Sequence, residues 1–89
     1  MPQVIVDPAE MRRFANAVDR LREKLQAKRA NVMRKHESLK ETWKDAKYQS
    51  FDKVFTNTLE DLDHFIKKTA EYSAYLRKKA AKAEKYLSR

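Results

Sequence analysis

Apolar residues in the first half of the chain recur at alternating steps of three and four. The series comprises Met11, Phe14, Val18, Leu21, Leu25, Val32 and Leu39, and Lys28 and Lys35 fill its two gaps. This spacing predicts an amphipathic helix over about residues 8–41, because residues three and four apart share one helical face. Asp7 can cap the free backbone N–H groups, Pro8 fits the first helical position, and Glu10 completes a capping-box-like pattern.

A second apolar series has the same spacing and predicts a helix over about residues 48–87. Its members are Tyr48, Phe51, Phe55, Leu59, Leu62, Ile66, Thr69, Ser73, Leu76, Ala80, Ala83 and Leu87. The first register, continued past Leu39, meets almost only polar residues, and the two stripes differ in phase by about 200°. A turn at about 42–47 is therefore required, and Thr42 and Asp45 are both candidate caps for the second helix.

These elements predict an all-α fold, an antiparallel two-helix hairpin forming a single domain over residues 1–89. Because such a hairpin has little interior, we expect it to dimerise into a four-helix bundle. The expected assembly interface is Phe14, Val18, Leu21, Leu25, Val32, Leu39, Phe51, Phe55, Leu59, Leu62, Ile66 and Leu76. Five off-register residues widen the stripe further, namely Met33, Val54, Phe65, Tyr72 and Tyr75. The alternative is that they pack within the monomer or lie singly exposed.

Composition excludes several classes of function. The 89 residues include no glycine, so the chain cannot form a P-loop, a Rossmann turn, a nucleophile elbow or an EF-hand loop. They include no cysteine, which excludes disulfides, thiolate metal sites and thiol nucleophiles. No apolar run approaches the roughly 18 residues that span a bilayer, and the first residues do not resemble a signal peptide.

Neither catalysis nor metal binding is indicated by the polar residues. His36 and His64 would be offset by about 15 Å along the hairpin, too far to share a metal. Glu60 and His64 stand four residues apart, but this pair has no further ligands. The serines have no convincing triad arrangement. We therefore expect a protein that is not an enzyme, with no cofactor and no metal.

The charge distribution offers a competing function. The net charge is +8, and basic residues are concentrated at 20–35 and 77–89. Such runs can bind phosphates or an anionic membrane surface. No nucleic-acid-binding motif accompanies them, so nucleic-acid binding is the less favoured interpretation. The alternatives are a solvated face that forms local ion pairs and a surface that selects a charged partner.

The chain also resembles the WXG family of small proteins exported by type VII secretion. The resemblance extends from Val6-Asp7-Pro8 through Glu41-Thr42-Trp43-Lys44-Asp45-Ala46-Lys47-Tyr48 to the region of Leu76. The motif tryptophan corresponds to Trp43, and Asp45 stands where the family has glycine. A second family element, a tyrosine followed four residues later by Asp or Glu, is not found near the C-terminus, where Leu76 follows Tyr72 and Lys79 follows Tyr75.

The resemblance implies a secretion-associated protein that acts by protein–protein binding, as a secreted substrate or as a co-secreted helical partner. Implied partners are a second copy, a related helical-hairpin protein that could supply the export element, and a secretion ATPase. It further implies that Trp43 and Asp45 at the turn form part of a recognition surface. The alternative is that Trp43 simply closes the end of the bundle, and the two roles are compatible. The protein would be secreted without a cleavable signal peptide, or cytoplasmic before export. The alternative functions are a cytoplasmic basic helical protein that binds nucleic acid or an anionic surface, and a purely structural assembly subunit.

Overall fold

The computed structural model describes residues 6–87, which form two long helices. Helix α1 spans Pro8–Thr42 and helix α2 spans Ala46–Leu87. An ion pair between Arg12 and Glu84 joins the start of α1 to the end of α2, so the helices run antiparallel. The hairpin is elongated, with extents of 67 × 22 × 13 Å. The predicted all-α, two-helix hairpin is thus confirmed.

Helix α1 begins as its sequence predicts. Asp7 is extended, with φ −96° and ψ 105°, and its carboxylate accepts hydrogen bonds from the backbone N–H groups of Ala9 and Glu10 at 3.0 and 3.3 Å. Pro8 occupies the first turn, where a missing N–H group costs nothing. The Glu10 side chain is engaged by Arg13 one turn later. The cap therefore rests on Asp7.

The turn contains only Trp43–Asp45 and is shorter than the predicted 42–47. The Asp45 carboxylate accepts from the backbone N–H of Lys47 at 2.9 Å, which identifies Asp45 as the cap of α2. The hydroxyl of Thr42, the other candidate, instead donates to the carbonyl of Leu39. No residue in the described part of the chain has a positive φ, so this turn does not need glycine at position 45.

The two helices meet along a seam with a heptad repeat. On α1 its a and d positions include Met11, Ala15, Val18, Arg22, Leu25, Arg29 and His36, and on α2 they include Asp52, Phe55, Leu59, Leu62, Ile66, Thr69, Ser73, Leu76 and Ala80. Of the apolar residues that the structure describes, only Ala15, Leu76 and Ala80 are buried. Small side chains therefore allow the helices to approach closely near the open end of the hairpin, where α1 begins and α2 ends. The interior is thin.

The stripe predicted on α1 divides between the seam and the surface. Val18 and Leu25 lie half-buried in the seam, whereas Val32 and Leu39 are exposed although the heptad spacing would place them there. Met33, predicted to be off-register, is half-buried instead. The reason is geometric, because an α-helix rotates by about 20° per heptad relative to an exact seven-residue repeat. Over the length of α1 this rotation turns Val32 and Leu39 out of the seam.

Candidate interaction surface and aromatic turn

The turn is closed by a cluster of aromatic rings. Trp43 lies edge-on to Tyr48, with ring centroids 5.5 Å apart, and is tilted against Phe51 at 5.4 Å. Phe51 stacks on Phe55 at 5.8 Å, and Phe55 stacks on His36 at 4.6 Å. These contacts link the turn to both helices, so Trp43 has the structural role expected of an aromatic residue that closes a bundle.

The two predicted recognition residues contact each other directly. The indole N–H of Trp43 donates to Asp45 Oδ1 at 2.9 Å, and the same oxygen accepts from the backbone N–H of Lys47. Asp45 therefore both caps α2 and fixes the orientation of the indole ring. Glycine at this position would have no side chain to do either.

His36, considered from the sequence only as a candidate metal ligand, lies in the seam, although the apolar stripe was predicted to pass through Lys35. Its side chain is 11% exposed, and its Nε2 lies 2.8 Å from Asp52 Oδ1. The hydroxyl of Tyr48 completes the group, at 3.3 Å from His36 Nε2 and 3.4 Å from Asp52 Oδ1. Desolvation, supported by the charge of Asp52, raises the pKa of Tyr48. The signal in the sequence was the seven-residue spacing of Arg22, Arg29 and His36.

One long edge of the hairpin, which we call the ionic edge, carries ion pairs between the helices. It consists of Arg12, Asp19, Arg22 and Arg29 from α1 and Asp63, Arg77 and Glu84 from α2. Arg12 binds Glu84 through two hydrogen bonds of 2.6 and 2.9 Å, and Arg29 binds Asp63 through two of 2.6 and 3.0 Å. Each of these ion pairs joins a position on α1 to the position opposite it on the antiparallel α2. The pairs therefore fix the axial register of the two helices.

Asp19 is the centre of the ionic edge. Its carboxylate accepts from Arg77 at 2.5 Å and from Arg22 at 2.8 Å. The hydrogen bond from Arg77, followed by those involving Ser73 and Arg22, holds the pKa of Asp19 well below its usual range. The hydrogen bond from Arg12 likewise lowers the pKa of Glu84. The Arg12–Glu84 pair is exposed to solvent, so it acts on register more than on total stability, whereas the Asp19 side chain is only 24% exposed and its bonds are less screened.

The opposite edge, which we call the aromatic edge, is apolar and uncovered. It consists of Phe14, Leu21, Val32 and Leu39 from α1 and Phe51, Val54, Phe65, Tyr72 and Tyr75 from α2. These side chains are between 39% and 65% exposed. Phe14 and Tyr72 meet edge to face across the two helices, with centroids 6.4 Å apart. The aromatic edge therefore bridges the two helices at this point.

The predicted interface residues fall into three groups by exposure. Phe14, Leu21, Val32, Leu39 and Phe51 are exposed on the aromatic edge; Val18, Leu25, Phe55, Leu59, Leu62 and Ile66 are half-buried in the seam; and Leu76 is buried within the hairpin. Of the off-register residues, Val54, Phe65, Tyr72 and Tyr75 also lie on the aromatic edge. The geometry thus brings one part of the predicted interface to the surface and leaves the rest between the helices.

Other candidate chemistry is sparse in the described part of the chain. Residues 6–87 contain no group of three side chains arranged to hold a metal ion. Neither helix, over those residues, is apolar enough along its length to cross a bilayer. A shallow cavity of about 350 Å³ lies near the open end of the hairpin and is lined by Tyr75, Lys78, Lys79 and Lys82. It is next to the aromatic edge and is strongly basic.

Comparison with known proteins identifies a family. The family model WXG100, described as proteins of 100 residues with WXG, matches residues 3–86. No curated protein and no solved structure gives a match. Members of this family are secreted by type VII systems and typically form dimers with partners. The chain belongs to the WXG100 family of small helical proteins associated with type VII secretion.

Proposed function

We propose that this protein acts by protein–protein binding, and that its aromatic edge packs against a second helical hairpin to form a four-helix bundle. The resulting pair would be the species handled by the type VII system, as a secreted substrate together with its co-secreted partner. The observation that carries the proposal is the row of large apolar side chains left exposed along one edge; of the described residues, Tyr86 and Leu87 near the end of α2 are the other large apolar side chains that are exposed. A row of exposed apolar side chains along one edge is typical of a binding site.

The thin interior supports this proposal. Ala15, Leu76 and Ala80 are the only buried apolar residues within 6–87, and two of them are alanines that bury little area. Phe65 and Tyr72, in contrast, are 50% and 54% exposed. Because burial of apolar area is the main favourable contribution to folding, covering the aromatic edge would stabilise the hairpin substantially. Association and stability are therefore expected to be coupled.

The turn has a second part in the proposal. Trp43 is half-buried and held by Asp45, so its indole presents a fixed surface at the closed end of the hairpin. We assign to this end the contact with the secretion machinery, including a secretion ATPase. Export and helicity measured together for Trp43→Ala and Trp43→Phe would separate recognition from folding. Loss of export with helicity retained supports the assignment, whereas export unchanged by Trp43→Ala contradicts it.

The basic runs are a weaker basis for function. Arg22, Arg29 and Arg77 belong to these runs, yet their guanidinium groups are occupied by carboxylates of the same chain. This leaves mainly lysines for an external anion, without an aromatic platform for bases. Binding of nucleic acid or of an anionic surface is therefore the alternative function. It would appear as retention on heparin that is lost steeply as salt is raised.

The aromatic edge can be tested with two neighbouring substitutions. Phe65→Ser changes the edge, whereas His64→Ser changes the next residue along α2, which points away from it. Size-exclusion chromatography with light scattering would be performed at 0.5 M NaCl, so that charges on the surface are screened. We expect wild type and His64→Ser to form dimers and Phe65→Ser to remain largely monomeric. Equal association of all three, or a wild type that is monomeric at every concentration, would contradict the proposal.

A further inference from the structure

The aromatic edge is bordered mainly by lysines. The positions along it hold seven exposed lysines and three carboxylates. The lysines are Lys24, Lys28, Lys35, Lys47, Lys68, Lys79 and Lys82, and the carboxylates are Glu10, Asp61 and Glu71, of which Glu71 pairs with Lys68. Lys28 and Lys35 continue the row begun by Phe14 and Leu21 on α1. The apolar surface therefore lies within a positively charged rim.

This rim contrasts with the use of charge on the other edge. There Arg12, Arg29 and Arg77 have carboxylate partners within the chain. Lys28 and Lys35 form no ion pair with any residue in the part of the chain that the structure describes. These three arginines are thus paired within the chain, whereas Lys28 and Lys35 have no carboxylate partner among the described residues and lie beside the aromatic edge.

A second copy of this chain is a poor match for such a surface. In a parallel arrangement the rim lysines of one copy would face the same lysines of the other. In an antiparallel arrangement Lys79 and Lys82 would approach Lys35 and Lys47, because the open end of one hairpin would meet the closed end of the other. Like charges opposed at an interface disfavour association. Both arrangements therefore oppose a homodimer at low salt.

The rim is most basic where the surface is concave. The cavity of about 350 Å³ beside the aromatic edge is lined by three lysines and Tyr75, and Lys79 Nζ lies 5.9 Å from the centre of the Tyr75 ring. A carboxylate entering this cavity would meet several ammonium groups at once. An aromatic floor with a cationic rim is complementary to an apolar helix face flanked by Asp and Glu.

We infer that the aromatic edge selects an acidic partner: a separate helical hairpin whose own apolar face is flanked by carboxylates, in preference to a second copy of this chain. The inference rests on the proposed function, because it specifies the chemistry of the partner that the aromatic edge binds. The apolar residues provide the contact area, and the lysine rim discriminates between partners. Such discrimination commonly depends on repulsion of the wrong partner as much as on attraction of the right one.

A copy of the chain in which three rim lysines are replaced by glutamate serves as a partner of known shape that carries carboxylates beside its apolar face. The rim variant combines Lys28→Glu, Lys35→Glu and Lys79→Glu. These substitutions reverse the charges closest to the aromatic edge and leave its apolar residues unchanged. The matched control carries Arg34→Glu, Lys53→Glu and Lys67→Glu, which lie on the outer faces of the two helices. Both triple variants have the same net charge, so a nonspecific effect of charge would be equal in the two. Circular dichroism would verify that each variant is helical.

Binding would be measured by fluorescence anisotropy of labelled wild-type chain, titrated with unlabelled wild type, rim variant or control variant. At 0.05 M NaCl we expect the wild type to bind the rim variant about tenfold more tightly than it binds either itself or the control variant. As NaCl is raised to 0.5 M, the mixed pair should weaken and the wild-type pair should strengthen, because screening removes attraction in one and repulsion in the other.

Two results would overturn the inference in distinguishable ways. If the wild type binds itself as tightly as it binds the rim variant at low salt, the charge selection is wrong while the aromatic edge remains an interface. An equal gain with the control variant would have the same meaning, since net charge alone would explain it. If no pair associates at either salt concentration, the proposed function fails together with the inference.

Discussion

The ionic edge and the aromatic edge flank the same seam on opposite sides, yet they differ in whether their side chains find partners within the chain. On the ionic edge Arg12 pairs with Glu84 and Arg77 pairs with Asp19, so these charges are neutralised within the chain. On the aromatic edge Phe14 and Tyr72 touch each other but remain more than half exposed. The ionic edge is thus paired within the single hairpin, whereas the aromatic edge is left uncovered in it. The ionic pairs align the two helices, and the aromatic edge is the surface that we propose for assembly.

The largest effect is expected from removing one pair of contacts on each edge. Phe14→Ala with Tyr72→Ala should weaken dimerisation at 0.5 M NaCl by about 100-fold, because aromatic anchors dominate binding energy. Arg12→Ala with Glu84→Ala should change it less than about threefold, because the exposed pair contributes little and lies on the other side. Analytical ultracentrifugation over a range of concentrations would measure both. Equal losses for the two double variants would show that the edges are not functionally distinct.

The acid response is expected to be smaller and to belong to the ionic edge. The pKa values of Asp19 and Glu84 are lowered from 3.8 and 4.5 in the folded chain, so folding favours their ionised forms. The stability that they contribute is present above about pH 4 and is lost as the pH falls through their lowered values. Thermal unfolding followed by circular dichroism from pH 7 to pH 2 should therefore show a falling midpoint below about pH 4.

Arg77→Met provides the comparison for this acid response. It removes the largest cause of the lowered pKa of Asp19 while keeping most of the apolar stem. The variant should be less stable than wild type at pH 7 and should lose less of its stability between pH 4 and pH 2. An identical fall in the two proteins would mean that Asp19 and Arg77 are not coupled in solution.

The hairpin itself follows from the pattern of apolar residues. The phase difference between the two stripes required a turn beside Trp43, and the cap at Asp7 required a helix beginning at Pro8. Both features depend on local rules, namely the period of a helix and the pairing of its free N–H groups. Such rules operate within a few residues and can be applied before any tertiary contact is known.

The division of α1 into seam and edge could not be predicted in the same way. A hydrophobicity pattern ranks Phe14 and Leu21 above Ala15 and Arg22 as inward-facing residues, yet the structure has the opposite arrangement. Close approach of two helices favours small residues, and Arg22 lies in the seam with its guanidinium group 3.5 Å from the Ser73 hydroxyl of α2. It also donates to Asp19, which accepts from Arg77 of α2. These are properties of the pair of helices and cannot be read from either helix alone.

The cap of α2 at the turn likewise could not be predicted from the sequence alone. Trp43 and Asp45 could be identified as a candidate recognition pair from their resemblance to a motif, but the cap could equally have been Thr42. In the structure Asp45 caps α2 and also accepts from the Trp43 indole, whose ring packs against Tyr48 and Phe51. These contacts form only in the folded turn, so the sequence alone does not distinguish the two caps.

The smallest effect is expected at the turn, where Asp45→Gly would restore the family's usual motif residue. Loss of the carboxylate removes the bond to the Trp43 indole and the cap of α2, but glycine is itself tolerated at a cap. The free energy of unfolding should therefore fall by only a few tenths of a kcal/mol, against about 1 kcal/mol for Asp45→Ala. Urea unfolding followed by tryptophan fluorescence measures both the loss of stability and the release of the indole. Trp43 contacts Phe51, which lies at the end of the aromatic edge nearest the turn. Because both variants release the indole from Asp45, dimerisation should weaken slightly in both. A large loss of dimerisation for Asp45→Gly would mean that the turn, and not the length of the aromatic edge, governs assembly.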